Sequence, residues 1–181
     1  YRQVPGLSAA LVHDQDVVWS GGFGYADSER QVEATEKTIY SICSISKLFT
    51  SIGVMQLRDQ GLIDLGDLPN QHLPWFDIEQ AYPDGAPVTI RGMLTHSSGL
   101  PRESDFPYWS EPNFEFPSRE QIMESVGRQR TLYPGDTYFQ YSNLGLTLAG
   151  MIVGEVSDQM YDTYVVQNIL EPLNLSDTRP E

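Results

Sequence analysis

The sequence predicts an α+β fold in which N-terminal antiparallel strands precede a mainly helical region. Two short apolar runs, residues 7–12 and 17–19, are separated by a polar turn, as in a β-hairpin. From Ser44 onward the apolar residues recur at helical spacing instead. The 181 residues, 40% of them hydrophobic, suffice for a compact domain with a core. We therefore expect two regions: residues 1–60, with the strands and the first long helix, and residues 61–181, mainly helical.

The hairpin is predicted to be only part of a sheet. Gly21, Gly22 and Gly24 follow the second apolar run and predict that this strand ends or bulges there. A two-stranded hairpin is marginally stable alone, so its apolar residues need further strands to pack against. The rest of the sequence does not obviously supply them.

The first long helix is predicted over residues 44–60, with Gly61 as its C-terminal stop. Apolar residues extend around most of its surface, which predicts a helix buried in the middle of the domain. These residues are Ile45, Leu48, Phe49, Ile52, Val54, Met55 and Leu57.

Four later helices are predicted, two of them from capping residues. A Ser or Thr side chain at the N-cap accepts a hydrogen bond from a free backbone N–H of the first turn. We predict helices over residues 89–94 (capped by Thr89), 118–129 (capped by Ser118, with Gln121 completing a capping box), 142–156 and 160–169.

Composition excludes several classes of function. The net charge of −14 repels phosphate backbones and anionic lipid, so we expect no nucleic-acid partner. No apolar run reaches the length of a membrane span. Cys43 is the one cysteine, so the chain has no internal disulfide, and we expect neither a metal nor a cofactor.

The segment Ser44-Ile45-Ser46-Lys47 is an S-x-x-K motif. A serine hydroxyl is a weak nucleophile until a neighbouring base takes its proton. Side chains three apart on a helix share a face, so Lys47 can reach the Ser44 oxygen. A helix cap beside a solvated lysine is the alternative explanation, but Lys47 lies on a largely apolar helix in a chain with only one other lysine, Lys37.

The segment Tyr141-Ser142-Asn143 precedes a predicted helix. A tyrosine beside a lysine cation loses its proton more readily and can relay a proton between Ser44 and a leaving group. Asn143 both donates and accepts hydrogen bonds, which suits contact with a lysine and a substrate carbonyl. A core tyrosine beside a helix cap is the alternative.

His96 lies in the segment Thr95-His96-Ser97-Ser98-Gly99-Leu100. It raises the possibility of a Ser-His-Asp triad, but the sequence has no G-x-S-x-G nucleophile elbow to pair with it. We therefore predict that His96 organises a tight loop by hydrogen bonding.

The order of these segments resembles the β-lactamase-related, penicillin-binding-protein-like serine hydrolases, which include class C β-lactamases, D-alanyl-D-alanine carboxypeptidases and esterases. The matching segments are Val4–Leu7, Val18–Asp27, Ser41–Thr50, Gly61–Leu65, Leu94–Leu100, Pro134–Asn143 and Pro172–Leu175. The resemblance implies that Ser44 is the acylated nucleophile, that Lys47 and Tyr141 handle protons, with the base left open, and that Asn143 binds lysine and substrate. It also implies an α/β sandwich with an antiparallel sheet beside an all-helical region.

One departure from the family pattern concerns its third motif, K-T-G or H-x-G, on a later strand that also supplies an oxyanion-hole amide. No such motif occurs up to Glu181, and the C-terminal sheet strands are absent too. We therefore expect the 181-residue chain alone to be incomplete as an enzyme, and to pair with a second copy or with a C-terminal fragment. The resemblance slightly favours an extracytoplasmic location.

The resemblance implies hydrolysis of an ester or amide in a small molecule or peptide through an acyl-enzyme. We rank a carboxylesterase or β-lactamase-like hydrolase first, a D-amino-acid peptidase second and an antibiotic-degrading lactamase third. The alternative is a non-catalytic binding or regulatory module on the same fold.

Overall fold

The computed structural model describes residues 4–106, 108 and 115–180. It divides the chain into two compact units, one from the described part of Tyr1–Cys43 with Leu175–Arg179, the other from the described part of Ser44–Asn174. The division falls before the first long helix, because that helix packs on a later one. The assignment of residues 1–60 and 61–181 to regions of a family fold stays a prediction.

The first unit contains an antiparallel sheet of three strands. Strand β1 (Gly6–His13) pairs with β2 (Asp16–Asp27), which pairs in turn with the short β3 (Val32–Glu33). Asp14 turns the chain between β1 and β2 with a φ of +52°. Because the α-helices of the described residues all lie in the second unit, the predicted α+β fold is confirmed.

The glycines do not end the second strand, so of the two predicted outcomes, an end or a bulge, the first is wrong. Gly21 and Gly22 pair with Ala9 and Ser8, and the strand continues to Asp27. A Cβ on Gly22 would lie 2.1 Å from the carbonyl oxygen of Ala34. Glycine is therefore needed for close backbone approach within the sheet rather than for chain termination.

Large apolar side chains of the sheet remain exposed. Leu11 on β1 is 61% exposed and Phe23 on β2 is 56% exposed. Leu7, Val17, Val18 and Trp19 are exposed as well. The sheet therefore buries few of the apolar residues that define its strands.

Helix α1 (Lys47–Asp59) follows a single 3-10 turn, Cys43–Ser46. It buries one face, which consists of Thr50, Gly53, Val54 and Leu57. The prediction of burial nearly all round is wrong, because Leu48 is 62% and Ile52 is 40% exposed. Gly53 lets neighbouring helices approach closely, since a Cβ there would lie 3.3 Å from a ring carbon of Tyr164.

Two of the remaining helices begin at the predicted caps, Thr89 and Ser118, and a third begins at Ser142. Thr89, Ser118 and Ser142 each accept a hydrogen bond from a first-turn N–H. The helices are α2 (Ile90–Leu94), α3 (Arg119–Val126), α4 (Asn143–Ser157) and α5 (Tyr161–Val165), the last continuing into a π-helical turn, Val166–Leu170. Helix α3 is shorter than predicted because the chain leaves the helix at Gly127.

Helix α4 is the centre of the hydrophobic core. Leu148 and Ile152 have no exposed surface, and α4 contacts α1, α2 and α5. Full burial of a leucine or isoleucine side chain stabilises a fold by roughly 1.5–3 kcal/mol. In the described part of the chain, no helix is long and apolar enough to cross a membrane.

Candidate active site

Ser44 and Lys47 meet at the start of α1. Ser44 lies in the 3-10 turn and Lys47 is the first residue of the α-helix, so the two side chains project to the same side. Lys47 Nζ donates a hydrogen bond to Ser44 Oγ over 3.2 Å. Ser44 is exposed, whereas Lys47 is half-buried.

Tyr141 reaches the same serine from the turn before α4. Its hydroxyl donates a hydrogen bond to Ser44 Oγ over 2.8 Å. Two cations flank its ring: Lys47 Nζ lies 5.1 Å and Arg102 Cζ 5.2 Å from the ring centroid. Cations at this distance attract the electron-rich face of an aromatic ring.

These surroundings favour the phenolate form of Tyr141. Hydrogen bonding with Lys47, and then with Ser44, holds the pKa of Tyr141 below its usual value of 10.0. The positive charges of Lys47 and Arg102 act in the same direction, and partial burial acts against them. Tyr141 is therefore a better proton acceptor at moderate pH than a free tyrosine.

His96 organises the loop before this site, as its residue type predicted. Its Nδ1 accepts a hydrogen bond from the backbone N–H of Ser142 over 3.2 Å. Its carbonyl accepts from the N–H of Gln140 over 2.7 Å. His96 itself has a φ of +57°. A residue other than glycine rarely adopts a positive φ, and here it fits a tight loop.

Asn143 is held by the dipeptide Arg102-Glu103. The Arg102 carbonyl accepts hydrogen bonds from the N–H groups of Asn143 and Leu144. Asn143 Nδ2 donates to Glu103 Oε1 over 2.5 Å. Its Oδ1 is buried without a hydrogen-bond partner among the described residues. The predicted contacts of Asn143 with lysine and substrate stay predictions.

A cleft of about 500 Å³ opens beside these groups. Its polar lining comes from Ser44, Lys47, Ser51, His96 and Tyr141. Its apolar lining comes from Ile45, Leu48, Leu94 and Leu146. A serine hydroxyl beside a lysine and a tyrosine, with apolar walls in one concave site, is an arrangement that acyl transfer could use.

Sequence reasoning missed Arg102 and Glu103. Both follow the segment that ends at Leu100, but about forty residues separate them from the side chains they contact. A charged pair at the end of a loop carries no motif of its own. Within the described residues, no group of three or more His, Cys, Asp or Glu side chains converges as a metal site would.

Comparisons with known proteins identify the family. The model of the beta-lactamase family matches residues 1–179. Protein flp of Staphylococcus aureus (strain NCTC 8325 / PS 47) is 30% identical over 177 residues, which are 97% of this chain and 34% of that protein. The chain thus spans about a third of the length of the curated relatives it matches.

Solved structures agree in fold. The octameric penicillin-binding protein homologue from Pyrococcus abyssi is 31% identical with a TM-score of 0.81, over 94% of this chain and 39% of that one. The beta-lactamase/D-alanine carboxypeptidase from Yersinia pestis is 23% identical with a TM-score of 0.86, over 98% of this chain and 51% of that one. The resemblance found in the sequence is therefore confirmed: this chain belongs to the beta-lactamase family.

Proposed function

We propose that this chain carries the nucleophile of a serine hydrolase that acts through an acyl-enzyme formed on Ser44. The observation that carries the proposal is the pair of hydrogen bonds to one oxygen, from Tyr141 at 2.8 Å and from Lys47 at 3.2 Å. Both distances are within the range for direct proton transfer. Ser44 is also exposed on the cleft, where a substrate carbonyl can reach it.

The reaction proceeds in two halves. Ser44 Oγ attacks the carbonyl carbon while its proton passes to Tyr141 or Lys47, and the tetrahedral intermediate then expels the alcohol or amine, which takes that proton. In the second half, water attacks the acyl-enzyme and releases the acid and the free serine. The first helical turn favours the negative charge that develops at Ser44, because its free N–H groups point toward that end.

Tyr141 and Lys47 work as a pair in this scheme. The ammonium of Lys47 favours the phenolate form of Tyr141. This phenolate accepts the proton of Ser44 directly, so the proton does not pass through solvent. With Tyr141 protonated, the same contact returns the proton to the leaving group. The base in acylation is therefore whichever of Tyr141 and Lys47 has lost its proton before Ser44 attacks. The pH dependence of the acylation rate tests this.

Asn143 is proposed to bind the substrate or Lys47. Its Nδ2 is occupied by Glu103, so the buried Oδ1 is the atom left to interact. A buried carbonyl oxygen without a partner costs roughly 1–3 kcal/mol. An ammonium or a substrate N–H donating to Oδ1 would remove that cost.

For the substrate we propose an ester or β-lactam-like acyl compound first and a D-amino-acid peptide second. The apolar side of the cleft, with Ile45 and Leu48 exposed, suits an apolar acyl or alcohol group. The Yersinia pestis relative is described as a beta-lactamase/D-alanine carboxypeptidase, which fits the same range of acyl donors.

The experiment that tests the proposal is covalent labelling of the full-length gene product. A fluorophosphonate ester and benzylpenicillin should each modify Ser44, and peptide mass spectrometry should locate the adduct there. Labelling by the penicillin supports the lactam and peptide range, and labelling by the fluorophosphonate alone supports an esterase. No adduct with either reagent would favour a non-catalytic binding module.

A further inference from the structure

His96 lines the cleft but has no part in the proton transfers proposed above. Its ring centroid lies 4.4 Å from that of Tyr141, with the ring planes inclined by 32°. Phe139 meets the imidazole edge-on, at a centroid distance of 5.8 Å. The Tyr141 ring therefore rests against an imidazole that is itself held in place.

His96 also holds the backbone on both sides of Tyr141. The N–H of Gln140 donates to the His96 carbonyl, and the N–H of Ser142 donates to His96 Nδ1. One residue thus binds the peptide groups before and after the tyrosine. The His96 N–H is bonded in turn to the carbonyl of Met93, in α2.

The bond from Ser142 defines the protonation state of the imidazole. A backbone N–H can only donate, so His96 Nδ1 must carry a lone pair and the ring proton must be on Nε2. The ring is therefore neutral. Burial, and then the positive charge of Lys47, lower the pKa of His96 below its usual value of 6.5, which agrees with a neutral ring.

We infer that neutral His96 is the positioning residue for Tyr141, and that protonation of Nδ1 releases the tyrosine hydroxyl from Ser44. The added proton occupies the lone pair that Ser142 uses, so two N–H groups face each other and the bond is lost. This inference rests on the proposed function, because only the reaction at Ser44 makes the position of Tyr141 consequential. It adds an acid-side control of reactivity that is separate from the ionisation of Tyr141.

Several charged and titratable groups lie around His96, and the positive ones oppose its protonation. Lys47 faces it from the start of α1, and Tyr141 contacts it from the turn before α4. Arg102 adds a positive charge over the Tyr141 ring. The carboxylate of Asp136 accepts a hydrogen bond from Ser97, the residue after His96. Release of the Tyr141 hydroxyl from Ser44 is therefore expected below pH 6.5.

The test compares His96→Asn with His96→Ala in the full-length gene product. Asparagine tolerates a positive φ and offers an oxygen to the Ser142 N–H, but it has no proton to gain near neutral pH. His13→Asn is the matched control, because His13 is an exposed residue of β1. The readouts are the pH profile of Ser44 acylation by an activated ester and nitrogen-15 NMR of the imidazole.

We expect His96→Ala to lower acylation at neutral pH by roughly a hundredfold, the cost of about 1 Å of misplacement. His96→Asn should recover most of that loss and should lack the acid-side decline that wild type and His13→Asn share. NMR should show the Nε2–H form of His96 in wild type at neutral pH. If His96→Ala does not fold, His96→Asn and the NMR measurement decide.

Two results would overturn the inference. One is an Nδ1–H or cationic His96 at neutral pH, and the other is a wild-type acid limb in His96→Asn. Failure of the proposed function gives a different result, because wild type would then take no fluorophosphonate or penicillin label, or Ser44→Ala would still take it. NMR of the Ser44→Ala variant still measures whether the Tyr141 signals shift as His96 gains its proton, whatever the outcome of labelling. The inference expects that they do.

Discussion

The hydroxyl of Tyr141 lies 2.8 Å from Ser44 Oγ, although 97 residues separate the two in sequence. The contact exists because Ser44 immediately precedes α1, Tyr141 immediately precedes the cap of α4, and these two helices pack side by side. Gly53 and Val153 lie where they touch. The proposed chemistry therefore depends on the packing of α1 against α4.

Ser44→Ala should remove turnover of an activated ester while the protein stays folded. Loss of the attacking oxygen costs up to roughly a million-fold in kcat in serine hydrolases, and alanine fits where serine is exposed. Ester hydrolysis and circular dichroism measure the two effects. Ser46→Ala is the matched control, since the Ser46 side chain makes no capping hydrogen bond. Hydrolysis by Ser44→Ala within a few-fold of wild type would refute Ser44 as nucleophile.

Tyr141→Phe should lower acylation by roughly 10²–10⁴-fold, because it removes the proton carrier but keeps the ring. In wild type, acylation should rise with pH through the pKa of Tyr141, which lies below 10.0, because the phenolate is the active form. The variant should lack this rise. Tyr138→Phe, at an exposed tyrosine, is the control. An unchanged alkaline rise in Tyr141→Phe would assign it to another group.

Lys47→Ala should both slow acylation and move its alkaline rise to higher pH. Interaction with Lys47 is the largest cause of the lowered pKa of Tyr141, so its loss returns that pKa toward 10.0. A rate loss of roughly 10²–10⁴-fold at neutral pH is expected from the missing proton partner. The control is Lys37→Ala, which changes the other lysine of the chain. A pH profile that keeps its midpoint would contradict the pairing of Lys47 with Tyr141.

Gly99→Ala should destabilise the protein far more than Gly61→Ala. Both glycines have positive φ, +76° and +74°, so an alanine at either position costs roughly 1–2 kcal/mol of backbone strain. At Gly99 the new Cβ would also lie 2.0 Å from the Tyr133 carbonyl oxygen, whereas nothing lies within 4 Å at Gly61. We expect a total loss of about 3 kcal/mol or more at Gly99. Urea unfolding measures both, and equal losses would contradict the close approach.

Local chemistry made much of the helical unit predictable. Thr89 and Ser118 cap their helices as expected, because a side-chain oxygen before an apolar periodic segment has a local role that depends on few distant residues. The meeting of Ser44 with Lys47 also follows from spacing alone. The approach of Tyr141 to them came only from the resemblance to a family, since no local rule relates residues so far apart.

Features that depend on distant backbone were not predictable from local pattern. Gly22 was interpreted as a strand breaker, yet it lies inside β2 because the Ala34 carbonyl passes over it. The exposed side of α1 was misjudged because periodicity shows that Leu48 is apolar but not which helix face finds a partner. Glu103 was missed because its contact with Asn143 is defined by the path of a loop.

The loop from His96 to Glu103 binds each residue of the Tyr141-Ser142-Asn143 segment through at least one hydrogen bond or ring contact. Recombination between relatives would therefore separate segments that contact each other whenever a crossover falls between residues 103 and 141. Chimeras that exchange both segments together should retain the geometry at Ser44. Chimeras that exchange one of them should lose it even when every residue proposed to react is present, so a library built from this family should be cut outside this interval.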